Sequence, residues 1–294
     1  MNQVDSAQNF IFHKQALRGM IVHLNESYNT IIQQHHYPEV IHKRLGEMLL
    51  ATTMLSSALK YQGQVTLQIQ TQSQLKLMVA KCSHDLNIRG LAQFNEDSLS
   101  MDLNDDFNRG ELIVTIENSE TQKNYQSMIA IEQQEVAQML ESYFDQSVQL
   151  PTYVVIHARE NAVSGMLLQT MPDVQAEQND LAENDLVQEL TARMYHLNQS
   201  DFQLTNADLL DKLYSDQAID LYPPTAIKFS CPCSIERMEE AVRMLGKAEI
   251  DDILAKNKTV SVTCEFCNYI YEFDKYAVLE IFSTPENEGT TVGN

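Results

Sequence analysis

Four of the five cysteines in this 294-residue chain fall into two close pairs, Cys231-Pro232-Cys233 and Cys264-Glu265-Phe266-Cys267, with thirty residues between them. Two pairs of soft thiolate donors on a stretch long enough to fold back suit a tetrahedral all-sulfur site for zinc. Cys231, Cys233, Cys264 and Cys267 are the expected ligands of one Zn(II) per chain in the reduced state. A site closed by four protein ligands leaves no position for water or substrate, so no catalytic residue is assigned and the chain is not read as an enzyme. The first pair departs from the usual CxxC knuckle. Pro232 removes a backbone N–H that could have bonded to a thiolate, leaving that half-site less shielded. Ligand thiolates remain nucleophiles, and an oxidant that turns them into disulfides releases the ion. Such a site can act as a redox switch.

The rest of the composition narrows the setting. A formal charge of −21 and a pI near 4.6 argue against a nucleic-acid partner, because that affinity comes largely from Lys and Arg neutralising phosphates. The same charge favours solubility should apolar surface be exposed. The start, Met1 to Ser6, lacks the basic and apolar regions of a signal peptide, and no run reaches the roughly 18 apolar residues of a membrane span. The expectation is a cytoplasmic protein without a membrane partner, where thiols rest reduced and clustered cysteines hold metal rather than structural disulfides. Cys82 stands alone and reads as a small buried side chain.

The elements that would position the thiols divide the chain into an α+β core, a connector and a small metal module. Phe10 to Phe12 and Met20 to Leu24 read as early strands broken near Gly19. Pro38 fits a first helical turn, and apolar spacing carries a helix from Val40 to Lys60. Gly63 ends it, and strands are expected at Val65–Ile69, Leu75–Ala80, Ile88–Phe94, Leu112–Ile116 and Met128–Ile131. The acidic, turn-rich stretch 95–108 reads as an exposed connection. A helix at Glu135–Phe144 and strands at Tyr153–Ile156 and Met166–Met171 close an antiparallel-sheet core domain over 1–175. Residues 176–224 form an acidic helical linker with a thin leucine stripe, stable only when docked on another surface; a permanently packed connector is the alternative. A zinc-binding redox-switch domain follows at 225–284, with a helix capped by Ser234, a short helix at Glu249–Leu254, and strands at Thr259–Val262 and Tyr269–Phe273 flanking Cys264 and Cys267. The tail, 285–294, is expected to be disordered.

These residues resemble one family, the redox-regulated chaperones called heat shock protein 33. The resemblance rests on the C-x-C, long spacer, C-x-x-C array and on His36-Tyr37-Pro38, Leu45-Gly46-Glu47, Leu59-Lys60 through Gly63 to Leu67-Gln68, Arg89-Gly90, Tyr143-Phe144 with Ser147 and Gln149, and Gly165 to Gln169. It covers nearly the whole chain. Val148 stands where the family usually has an acidic residue, and Ser164 where it has the first glycine of a pair. The resemblance implies an ATP-independent holdase, silent while reduced and zinc-bound. Peroxide or hypochlorous acid, together with heat or unfolding, would form the disulfides Cys231–Cys233 and Cys264–Cys267, expel zinc and unfold the linker. The activated protein would dimerise and bind unfolding client proteins.

The residues support the same account independently, since a small module deprived of its zinc cannot hold its fold on its core alone. The hairpin pair, Cys264 and Cys267, is expected to be more accessible and to react first. Two other readings stand beside this one. A constitutive zinc ribbon docking a partner protein or nucleic acid would bind regardless of redox state and, for nucleic acid, would need a basic face; Lys228, Arg237, Arg243 and Lys247 supply a few positive charges, but acidic residues surround them. A dithiol oxidoreductase would need Cys264-Glu265-Phe266-Cys267 to open a helix in a βαβ unit, whereas strands flank it.

Overall fold

The computed structural model describes residues 4–95, 110–132, 135–171 and 180–283. The expected connection at 96–108, the start of the linker at 176–179 and the expected tail lie outside them. The chain is mixed α and β and divides into two compact units, Met1–Ser230 and Cys231–Asn294.

The first unit holds two six-stranded sheets. One is built from β1 (Ser6–Phe12), β2 (Leu17–Leu24), β8 (Thr152–Ala158), β9 (Val163–Thr170), β10 (Ile219–Leu221) and β11 (Thr225–Ala226), in the order β10-β1-β2-β9-β8 with β11 also on β1. The other contains β3 (Gly63–Thr71), β4 (Leu75–Ser83), β5 (Asn87–Phe94), β6 (Gly110–Asn118), β7 (Lys123–Ala130) and β12 (Lys228–Phe229), in the order β12-β5-β4-β3-β6-β7. Among the described residues every pairing in these two sheets is antiparallel except β12 with β5.

A short helix α1 (Glu26–Gln33) follows β2, and a long helix α2 (Glu39–Ala58) leads to β3. From Arg44 to Ser56 every residue of α2 is buried, which is the pattern of a helix enclosed on all sides rather than one with a single apolar stripe. Its Leu45, Met48, Leu49 and Met54 share one core with Val22, Val154 and Leu167 of the first sheet and Val65, Leu67 and Met78 of the second. Cys82 lies fully buried in that core, with its thiol pushed up to about 11 by burial; it is a packing residue, unsuited to thiolate chemistry at neutral pH. Helix α3 (Val136–Tyr143) runs into one wide helical turn at Phe144–Val148. Val148 is half-buried against the same core.

The opposite face of the first sheet carries a second core. Phe10, Phe12, Leu17, Ile21, Val155, Met166 and Leu168 come from the sheet, and Leu190, Met194, Leu197, Phe202, Leu209, Leu210 and Tyr214 from the connector. The connector supplies α4 (Asp180–Tyr195), a single 3-10 turn at Asp201–Gln203 and α5 (Asn206–Tyr214). Polar contacts fix it further. His23 bonds through Nδ1 to Ser164 Oγ (2.9 Å) and through Nε2 to Asn206 Oδ1 (2.8 Å), and Asn206 Nδ2 donates to Gln8 Oε1 (2.7 Å). Ser164 thus has a definite partner. The two cations of this stretch bind acids within it, Arg193 with Glu189 and Asp216 at 2.6 Å each and Lys212 with Asp201.

Besides the helices Glu26–Gln33 and Lys275–Ser283, which the sequence reading did not name, two features differ from it. Gly19 does not break a strand; it sits inside β2, where a Cβ would lie 2.1 Å from Phe10 Cζ, so the glycine makes room for an aromatic ring of the neighbouring strand. The residues just before the cysteines are strands as well. Ile219 to Phe229 complete the edges of both sheets through β10, β11 and β12. Two- and three-residue pairings leave no periodicity for a sequence to display.

In the second unit α6 (Ile235–Leu245), α7 (Lys247–Lys256) and α8 (Lys275–Ser283) pack on a hairpin of β13 (Thr259–Thr263) and β14 (Ile270–Asp274). Its core is small: Val242, Ile250, Val260, Phe273, Val278 and Ile281 are its buried residues.

Candidate metal centre

The four clustered cysteines all belong to the second unit. Cys233 directly precedes Ser234, whose hydroxyl accepts from the Arg237 N–H and so caps α6. Arg237 also reaches back, donating through Nη1 to the Pro232 carbonyl at 2.9 Å. Together these fix the exit of the chain from the first cysteine pair. The second pair lies on the turn between β13 and β14, where Cys264 N donates to Tyr269 O (2.9 Å) and Asn268 N to Cys264 O (2.8 Å). Asn268 closes the turn at φ 53°, a left-handed conformation that asparagine tolerates better than most residues.

This folding brings all four Sγ atoms within 4.8 Å of one another. Cys231 lies 3.6 Å from Cys264, and Cys233 lies 3.5 Å from Cys267. A metal about 2.3 Å from each sulfur of a regular tetrahedron requires sulfur–sulfur edges of about 3.8 Å. The spacing and the donor set therefore fit a metal ion, and the four cysteines can hold one. Because sulfurs of one pair approach those of the other as corners of one cluster, proximity alone does not favour a particular disulfide pairing.

Tyr271 is a participant that spacing did not reveal. Its hydroxyl donates to Cys233 Sγ at 3.3 Å. Only the register of β13 on β14, which pairs Val262 with Tyr271, brings that ring to the cluster. Burial works against the Cys233 thiolate, but hydrogen bonds from Tyr271 and the neighbouring thiols outweigh it and draw this thiol below its ordinary range. Burial leads in pushing Cys231 and Cys267 upward. Cys264 is the buried member of the four at 7% exposure, the other three being half-buried. The expected greater accessibility of the hairpin pair thus fails for Cys264, whose position inside the knuckle shields it.

The profile of the Hsp33 protein family matches residues 5–274, from the first strand through the hairpin that carries the second cysteine pair. The chain belongs to the Hsp33 family. Hsp33 is a chaperone family, and the match spans both units. The 33 kDa chaperonin of Mannheimia succiniciproducens is 35% identical, with 99% of each chain covered. That of Shewanella woodyi is 34% identical over 96% of this chain and 97% of the relative. That of Vibrio cholerae is 32% identical over 96% and 97%. The crystal structure of the 33 kDa chaperonin (heat shock protein 33 homolog) of Thermotoga maritima shares the fold, with a TM-score of 0.78, 20% identity, and 95% and 98% of the two chains covered. Among the described residues no helix of this Hsp33 chain is long and apolar enough to cross a membrane.

Proposed function

We propose that this chain is an ATP-independent holdase gated by the redox state of Cys231, Cys233, Cys264 and Cys267, working in the cytoplasm and as a dimer once activated. The observation that carries the reading is the second core of the first unit. An acidic connector, with Arg193 and Lys212 as its only cations between 180 and 222, covers a sheet face of Phe10, Phe12, Leu17, Ile21, Val155, Met166 and Leu168. Removing that cover would expose one contiguous apolar face of the kind that binds other proteins. The chain's strong negative charge would keep the complex dispersed.

In the reduced state the four thiolates hold zinc. When bound, Zn(II) supplies cross-linking worth on the order of 10–16 kcal/mol to a small module of this type. Peroxide takes two electrons from each pair, Cys231–Cys233 and Cys264–Cys267, forming two disulfides while the peroxide oxygens leave as water. The thiolate ligands are then gone. A unit whose buried core is as small as that of Cys231–Asn294 cannot stay folded on packing alone. Order would then end at Ser230 instead of continuing into Cys231. The two-residue pairings of β11 and β12 fray first, because strand ends with few ladder bonds are weakest. Heat or oxidative unfolding supplies what is needed to lift α4 and α5.

The test is light scattering of a thermally unfolding client, with the protein added reduced or peroxide-treated. Suppression by the oxidised form alone supports the reading. Equal suppression by both forms would instead favour a constitutive binding module.

A further inference from the structure

The segment 218–230 passes along the outer edge of β1 and then beside β5. Tyr222 N donates to Asn9 O (2.9 Å), Ile227 N to Asp5 O (3.1 Å), and His13 N to Ala218 O (3.0 Å). Phe10, Ile11 and Phe12 face Leu221, Asp220 and Ile219 in register, and Ser6 and Ala7 face Ala226 and Thr225. Beyond it, Lys228 N donates to Leu86 O and Ser230 N to Ile88 O. The inserted pair Pro223-Pro224 separates β10 from β11. Ile219 and Leu221, two residues apart, pack on the second core; Ile227, past the Pro223-Pro224 interruption, is 3% exposed in the first.

We infer that the outer edge of β1 is a strand-addition site for extended client segments, which residues 218–227 occupy in the resting chain as a built-in surrogate. This deepens the holdase reading and rests on it for the event that vacates the edge. The occupant is an extended polypeptide with a few apolar side chains, because the segment already seated there is held by its main chain and by Ile219, Leu221 and Ile227. Main-chain hydrogen bonds ask nothing of side-chain identity, so an edge of this kind can accept many sequences, while the flanking cores favour an apolar pair two residues apart, as Ile219 and Leu221 are, and an apolar residue where Ile227 sits. The strong negative charge of the chain selects against acidic segments. An unpaired edge is also an aggregation hazard, which accounts for its being covered until needed.

The test separates main-chain pairing from apolar stickiness. The probe is a fluorescent synthetic peptide copying residues 216–229, prepared in two further forms. One is N-methylated at the positions of Tyr222 and Ile227, whose N–H groups face β1; the other carries two methyl groups at the positions of Leu221 and Ala226. Binding is measured by anisotropy to the full chain after peroxide and to a reduced Leu221→Asp/Ile227→Asp variant, whose own strand cannot seat its apolar residues. Circular dichroism first confirms that the variant keeps its sheets. The expected result is that the unmethylated and Leu221/Ala226-methylated peptides bind alike, with the Tyr222/Ile227-methylated peptide at least tenfold weaker in both proteins. Equal affinity of the two methylated forms, or no binding to either protein, overturns the edge. Selective binding to the reduced variant but not to the oxidised wild-type chain keeps the edge and removes the redox gate instead.

Discussion

Replacing Phe202 by alanine should uncouple the connector from the sheet without touching the thiols. Phe202 is 3% exposed in the turn between α4 and α5, and its ring meets His23 edge-on at 6.1 Å and tilts against His157 at 5.6 Å. Truncating a buried phenylalanine costs about 3–5 kcal/mol, from lost burial and the cavity that remains. At about 1.4 kcal/mol per decade, the undocked population rises between roughly a hundredfold and a few thousandfold. The cost falls on the second core of the first unit, and the helix between the sheets belongs to the other core, so sheet structure persists. Amide exchange over 180–221 should accelerate by that factor in the reduced protein, with zinc retained. The reduced variant should then suppress client aggregation without oxidant. Accelerated exchange in a protein that stays silent would show that the face under the connector does not bind clients. Unchanged exchange would refute the docking energetics themselves.

Acid should loosen the same contact. Burial lowers the pKa of His23, against hydrogen bonding from Asn206 and the Asp5 charge, and burial likewise lowers that of His157, against the Leu197 carbonyl and Asp201 and with help from Arg159 and Lys43. Freed histidines titrate at about 6.5, so the undocked state binds more protons below that pH; docking is at full strength above it and weakens as pH falls toward the depressed docked values. Connector exchange, corrected for intrinsic rates, should rise from pH 7.5 to 5.5, and a His23→Gln/His157→Gln variant should flatten the profile; an equally steep variant contradicts this. Tyr271→Phe removes the hydroxyl that donates to Cys233 Sγ, and should release zinc to a chromogenic chelator about tenfold more readily, as loss of a ligand's supporting hydrogen bond does elsewhere. Gly19→Ala places a methyl on the Phe10 ring and should destabilise the first unit by about 1–3 kcal/mol in denaturant titration; a neutral result would mean the ring has somewhere to go.

The thiol cluster was legible because Cys231, Cys233, Cys264 and Cys267 need only spacing and a hairpin to meet, and Val260 and Phe273 mark that hairpin by their alternation. The sheets were legible for the same reason, Val65, Leu67 and Ile69 announcing a strand with one buried face. What escaped is information that exists only in three dimensions. Gly19 looks like a break until Phe10 is seen lying over it. Tyr271 looks like any hairpin aromatic until β13 sets its register. The strands at 219–229 are too short for a period, and what orders them is the pairing offered by the edges of β1 and β5 together with the cores that Ile219, Leu221 and Ile227 reach. Ser164, a departure from the family pattern, becomes intelligible once His23 is found beside it.

The central claim is that the state of four sulfurs governs whether residues 180–221 stay on the sheet. Hydrogen exchange of that segment, followed during peroxide treatment alongside zinc release from the same sample at a mildly elevated temperature, tests it most directly. Protection should vanish on the time course of zinc release and return when a reductant and zinc are supplied. Full protection in a chain that has lost its zinc would contradict it.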